Sequence, residues 1–288
     1  LAAARVAFKC LSSPEVEVND GSFWALEVIL PPGKLLSAIR PAAIGGWSLS
    51  LPTVIDTILR ALSPVLPDRI PAAHKGDMGG YTFFGVDPAT GRPYVCQNII
   101  GGGWGGRPFE DGVSSSVSIC QGDVKNAPIE LQELYFPLHY ERHVLRTDSG
   151  GAGQFRGGLG VEVEVRCLND SYVNRNTERT QMPPWGAWGG RDGLANFTRV
   201  RRRTGRTEEI AGKVSRVFLR SGDCVTFLTA GGGGYGDPGN RDPGAVEKDV
   251  AEGYVSPERA IADYPNVASV SELARHGEKG RDGAGNPE

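Results

Sequence analysis

The sequence predicts an α+β protein rich in β structure, with mixed or antiparallel sheets joined by glycine-rich loops. Three observations lead there. Eight short runs of β-branched, aromatic and alternating residues lie between Tyr81 and Thr229, nearly all bounded by Gly, Pro, Asp or Asn. Ahead of them, Val54, Ile55, Ile58, Leu59 and Leu62 repeat at helical spacing. Finally, 41 of 288 residues are glycine and 20 are proline, about twice ordinary glycine usage, with no collagen-like G-X-Y period. Hydrophobic residues make up 39% of the chain and include five Trp. That is enough for a core, so the glycines belong to ordered turns and loops.

Taken in order, residues 23–30 form an apolar run cut by Pro31-Pro32-Gly33 and read as a strand followed by a turn. One amphipathic helix is expected over 51–63, with Ser50 as N-cap, Pro52 in the first turn, and Pro64 and Pro67 closing it. Strands follow at 81–86, 92–100, 114–120, 138–145, 161–167, 197–203, 215–219 and 224–229. Thr204-Gly205-Arg206 signals a hairpin, and 128–134 a short helix. Past Gly236 the pattern changes to two short C-terminal helices, 245–252 and 257–263, the second capped by Ser256. Residues 1–266 read as the folded body and the polar, Gly-rich 267–288 as a disordered tail.

Several function classes are disfavoured. Net charge is −3 with mixed signs, which suits neither a nucleic-acid nor a membrane-surface binder. No apolar run approaches the roughly 18 residues of a membrane span. The first residues, LAAARVAFKC, are too short and interrupted for a signal peptide, and the missing Met suggests a fragment or processed chain. Five isolated cysteines (Cys10, Cys96, Cys120, Cys167, Cys224) form no CxxC pair. They read as free thiols in a reducing cytoplasm.

Four glycine stretches carry candidate chemistry. Gly101 to Gly106, with Trp104 inside it, formally satisfies GxGxxG, but a loop follows where a dinucleotide site needs a helix. It is either a structured loop around Trp104 or a platform presenting Arg107 and Asp111. The stretch from Asp148 to Gly160, which contains Arg156, precedes a strand and lacks the Gly-Lys-Ser/Thr of a phosphate loop. The aromatic-rich stretch from Pro183 to Gly190 suits core packing. Gly231, Gly232, Gly233 and Gly234 lead into a helical segment and could bind an anion through backbone amides, or form a structural turn. Glu130 and Glu133 lie three apart and could pair as acid and base on a short helix. His139, Glu141 and His143 share a strand face and could hold a metal, or be ordinary strand residues. The run Arg199 to Arg203 reads as a solvated hairpin edge.

Together these motifs resemble the hydantoinase B family, whose members include N-methylhydantoinase B-type proteins, 5-oxoprolinase halves and the alpha chains of acetone and acetophenone carboxylases. The carriers are DSGGAGQFRGGLG at 148–160, GGWGGR at 102–107 with Asp111-Gly112, and NAPIE at 126–130 with Glu133. Pro184-Trp185-Gly186, GGGGYGDP at 231–238, and Arg241 through Asp249 to Ser256 continue the match in order. The resemblance implies a component of an ATP-dependent cyclic-amide hydrolase of the hydantoin or 5-oxoproline type. ATP enters through a hydantoinase A-type partner that activates the amide, and water opens the ring. A component of a ketone carboxylase and a non-catalytic assembly component are the alternatives. On this reading Glu130 and Asp111 are catalytic, with Glu130 as acid/base. Arg107 and Arg156 clamp the substrate, and Gly231 to Gly234 cradle an anion.

The chain also departs from the family. Its motifs begin about where the family's second half begins. The family's His- and Asp-containing metal motifs lie upstream of that point, so no metal ligand is assigned here. A divalent metal is expected only in that half, which a separate chain could supply. Phe23-Trp24 lacks the basic residue and Pro that usually follow, and Cys120-Gln121-Gly122-Asp123 matches one subgroup only.

Overall fold

The computed structural model describes residues 1–121 and 124–267. Gly122 and Asp123 of the subgroup motif, and the tail from Ala268, lie outside the described residues.

Two antiparallel sheets form the β body. One has the order β2 (Pro93–Asn98), β1 (Gly80–Val86), β5 (Ser171–Asn176), β8 (Lys213–Leu219). The other has the order β3 (Leu138–Leu145), β4 (Val161–Cys167), β9 (Cys224–Leu228), β6 (Phe197–Arg201), β7 (Thr207–Glu209). They face each other across one core, where Tyr81, Phe83 and Val173 meet Val163, Val165 and Phe227. The Tyr81 and Phe227 rings stack at 4.5 Å. In β4 the alternation Val161, Val163, Val165, Cys167 buries one face and leaves Glu162, Glu164 and Arg166 on the other. The hairpin turn at Gly205 needs its φ of +88°, and sets Arg201 opposite Thr207.

The expected α+β class holds, with both sheets antiparallel and several elements displaced. The amphipathic helix, α2, spans Trp47–Leu62 and starts at a left-handed Gly46, so Ser50 caps nothing and Pro52 lies inside. An unforeseen helix, α1 (Ala2–Ser12), buries Ala3 and Ala7 beside Ile55 and Leu59 of α2. Strand β5 was also unforeseen, because the inward row Ser171, Val173, Arg175 is not an apolar alternation. The expected strand at 23–30 does not form, and among the described residues no strand pairs with it. The run 114–120 has only a single bridge, Gly102 to Ser116. The short helices appear as α3 (Ile129–Tyr135), α4 (Pro243–Ala251) and α5 (Pro257–Asp263), and Ser256 accepts from the Arg259 amide as expected.

Between the sheets and the helices lies a bundle of glycine segments. Its hydrogen bonds repeat every third residue. Gly231 and Gly234 donate to Leu194 and Arg191, and Gly232 and Tyr235 donate to Gly158 and Phe155. Ala230 and Gly233 accept from Gly103 and Gly106, whose carbonyls in turn accept from Lys75 and Ala72. A β-strand has two neighbours on opposite sides. Segment 230–236 bonds to four other segments around it, with the threefold repeat of a polyproline II helix. Segments this close leave no room for side chains, which accounts for the glycine excess. A Cβ on Gly103, Gly105, Gly232 or Gly233 would fall closer than 3.0 Å to a neighbouring backbone oxygen. Helices α1 and α2 cover one flank through Ile70, Ala73, Trp185 and Tyr235, and α4 and α5 cover another through Ala152, Val246 and Val250.

All five cysteines are free thiols. Burial pushes Cys96 up to about 11 and Cys167 up to about 12, so little of either is thiolate at neutral pH. With a disulfide dye at neutral pH, exposed Cys10 should react first, and Cys96, Cys167 and Cys224 only once guanidinium unfolds the chain.

Candidate functional site

The glycine bundle turns two of the expected site residues toward each other. Asp111 follows the Gly101 to Gly106 segment, and Arg156 lies between Gly153 and Gly157. The Gly112 amide donates to the Arg156 carbonyl, and the Arg156 amide donates to Asp111 Oδ1 at 2.7 Å. Two further residues complete a quartet. Arg241, just before α4, donates both guanidinium nitrogens to Asp111 at 2.7 and 2.8 Å and a third bond to Asp249 at 2.7 Å. Arg156 reaches the same Asp249, on α4, through Nε at 3.0 Å and Nη2 at 3.2 Å. Tyr254 lies beside the Arg156 guanidinium and Tyr264 beside that of Arg241.

Two cations thus face two anions in a largely buried cluster, and such charges persist only when paired and hydrogen-bonded. Burial works to raise the Asp111 carboxyl, but bonds and charge from Arg241, with Arg156 behind them, hold it below the usual carboxylate range. Burial likewise works against charged Arg241, and Asp111 and Asp249 overcome it, so Arg241 holds its proton more tightly than a free guanidinium. Arg241 and Asp249 were not expected as site residues. Their eight-residue spacing gives no signal until α4 folds back.

The other expected residues lie elsewhere. All four amides of Gly231 to Gly234 are spent on carbonyls of Leu194, Gly158, Ala73 and Arg191. Arg107 sits on a turn at the surface, paired with Glu110 at 3.0 Å and stacked near Phe109. Glu130 is exposed in the first turn of α3, while Glu133 is tied to the Tyr140 amide at 2.6 Å and to His139 Nδ1 at 3.1 Å. Among the described residues no bond links Glu130 to the quartet. In β3 a register shift between Tyr140 and Arg142 breaks the shared face of His139, Glu141 and His143, and Glu141 pairs with Arg166. Among the described residues no three His, Cys, Asp or Glu side chains converge on a point that could hold a metal ion. The donor set a divalent ion needs is not offered by these residues.

A second buried polar centre lies where residues 74–79 lead into β1. Lys75 is fully buried, donates to the Ile100 carbonyl at 2.6 Å, and is pulled down to about 8 by that burial. Asp77 accepts from Thr177 Oγ1 at 2.9 Å and from the amides of Gly79 and Glu178. His74 accepts from the Gly76 amide through Nδ1, its Nε2 has no protein partner among the described residues, and burial lowers its pKa. Asp56 of α2 joins Arg179 to Trp185 next to it. This centre ties the sheets to the bundle, and the sequence marked it only by the short His-Lys-Gly-Asp run.

Comparison with known proteins places the chain in a lineage. The family model described as hydantoinase B/oxoprolinase matches residues 1–238. The beta component of caprolactamase from Pseudomonas jessenii is 30% identical over 272 residues, covering 90% of this chain and 47% of that protein. One component of a putative D-/L-hydantoinase from a Pseudomonas species is 29% identical over 255 residues, covering 88% and 42%. The crystal structure of the ATP-dependent caprolactamase of Pseudomonas jessenii superposes with a TM-score of 0.84 at 26% identity, covering 96% of this chain and 50% of that one. The chain therefore spans about half the length of the curated relatives it matches. No helix of the described residues is long and apolar enough to cross a membrane.

Proposed function

The chain belongs to the hydantoinase B/oxoprolinase family, and on that premise we propose that it is a component of a cytoplasmic, ATP-dependent cyclic-amide hydrolase. The observation that carries this reading is the likeness to the ATP-dependent caprolactamase, which extends over 96% of the chain. We assign ATP binding to a hydantoinase A-type partner, and the substrate class to lactams and related cyclic amides such as hydantoins and 5-oxoproline.

The chemistry follows from the substrate. An amide carbonyl is a poor electrophile. Transfer of the ATP γ-phosphoryl group to the amide oxygen releases ADP and makes the ring carbon reactive. Water then adds to that carbon and gives up a proton to a base. The C–N bond breaks with the nitrogen taking a proton, leaving an acyl phosphate. A second water releases phosphate and the open amino acid. Of the residues singled out by sequence, Glu130 and Arg107 keep exposed or half-exposed side chains and are assigned the acid/base and clamping roles. Asp111 and Arg156, engaged with Arg241 and Asp249, are assigned to position the loops that carry such groups.

The test is ADP release with hydantoin, 5-oxoproline or caprolactam, using the chain co-expressed with a hydantoinase A-type partner and the remaining half of its family. Amide-dependent ADP release with an open-ring product supports the reading. Bicarbonate-dependent consumption of a ketone assigns the chain to the carboxylases. Glu130→Gln should lower kcat by about 100-fold or more, the scale of a lost general base, with an unchanged thermal transition. Full activity in both Glu130→Gln and Arg107→Ala would assign the chain an assembly role.

A further inference from the structure

We propose that the apolar ribbon from Trp24 to Trp47, with the groove beside it, is the docking face for a polypeptide body comparable in size to this chain. That body is equivalent to the half of the family's longer members that this chain does not match. The inference rests on the family-based reading above. Its first support is exposure: Trp24 is 90% exposed, Ile29 78%, Leu35 95% and Ile44 83%. Scattered apolar residues are ordinary on a surface, but Leu30, Leu36, Ile39 and Trp47 are exposed in the same stretch, and such a concentration of large ones along one ribbon marks an interaction site.

The second support is the backbone. From Trp24 to Gly46, every backbone–backbone hydrogen bond among the described residues runs to a residue no more than four away. Residues 23–30 have the composition of a strand, yet no strand among the described residues pairs with them. Unpaired amides and carbonyls flanked by apolar side chains form an edge that a second chain can extend.

The third support is the groove. A volume of about 500 Å³ opens between α1, α2 and this ribbon, lined by Phe8, Leu11, Leu26, Ile29, Ile58 and Leu62. Its lining is apolar, so a peptide segment with apolar side chains suits it better than a charged ligand does. Finally, the matched relatives carry a further half of comparable length, and a body of that size needs a contact surface on this one.

The test uses the half of the Pseudomonas jessenii caprolactamase beta component that lies outside the matched segment, tagged and co-expressed with the 288-residue chain. Capture needs no ATP or amide, so a complex that forms here but opens no ring when ATP and the amide are supplied sinks the functional reading and leaves this one standing. The tagged half should capture the chain. Combined Trp24→Ser, Ile29→Ser, Leu35→Ser and Ile44→Ser should cut capture at least tenfold while leaving the thermal transition of the chain alone in place. A control carrying Val86→Ser, Val95→Ser and Leu168→Ser, at exposed positions elsewhere, should bind like the parent. Equal capture by the ribbon variant, or no capture by the parent, overturns the proposal. So does a parent chain that self-associates through the ribbon and ignores the tagged half, which would make a second copy the occupant.

Discussion

Gly232→Ala is expected to leave no folded protein. A Cβ at this position would lie closer than 3.0 Å to the Trp104 carbonyl oxygen and carbon and to the Gly105 nitrogen. These are backbone atoms, and both segments are fixed by further bonds to Val113, Gly158 and Gly233. A flexible side chain could swing away, whereas here a whole segment must move and take its hydrogen bonds with it. Overpacking usually costs about 1–3 kcal/mol when side chains can adjust. With no such freedom the cost should exceed about 4 kcal/mol and approach the low end of a typical stability of about 5–15 kcal/mol. Gly45→Ala, where nothing lies within 4 Å of the added carbon, should stay within about 0.5 kcal/mol of the parent. Soluble yield and urea midpoints of the two variants check this.

The second large effect is expected at Asp249. Its carboxylate receives both Arg156 and Arg241, and all three side chains are buried. Asp249→Ala leaves the two guanidinium groups short of a counter-charge, a change that typically costs about 3–5 kcal/mol. The damage should concentrate where α4 meets the glycine bundle, so amide exchange should speed first in the segments around Val246 and Val250. The same cluster sets an acid limit. The folded Asp111 carboxyl titrates below its unfolded value of about 3.9. Its contribution is therefore fully present above that value and lost as pH falls through the lower folded one. Asp111→Asn should flatten the stability profile in that acid window relative to the parent, and a urea series across low pH reads it out.

How much of this was legible in the sequence depends on where each residue's partner lies. Strands such as β4 carry their own instruction, because Val161, Val163 and Val165 alternate with charged residues on a half-buried strand. Strand β5 hides its face, because inward-pointing Arg175 donates to the Gly79 and Gly80 carbonyls and lies against the Phe227 ring. Residues 23–30 carry a strand's composition without a strand to pair with, and composition cannot supply the partner. The glycine segments were visible as motifs but their arrangement was not. Gly231, Gly232 and Gly233 each bond to a different segment, and those segments are scattered between residues 73 and 194. At the site, the Gly101 to Gly106 loop points to Asp111 and the family motif to Arg156, and the structure joins them. Arg241 and Asp249 needed the fold. Glu130, from the carboxylate pair, and Arg107, from the same loop as Asp111, lie apart from that cluster, on surfaces of their own.

The central proposal is that this chain is a necessary component of an amide-opening, ATP-consuming complex. The most direct measurement is the amount of ring-opened amino acid formed per ADP, in the complete complex and in the complex lacking only this chain. About one open-ring product per ADP is expected in the first and none in the second. Equal ring opening without the chain, or ADP formed alongside a carboxylated ketone with the ring intact, would contradict the assignment.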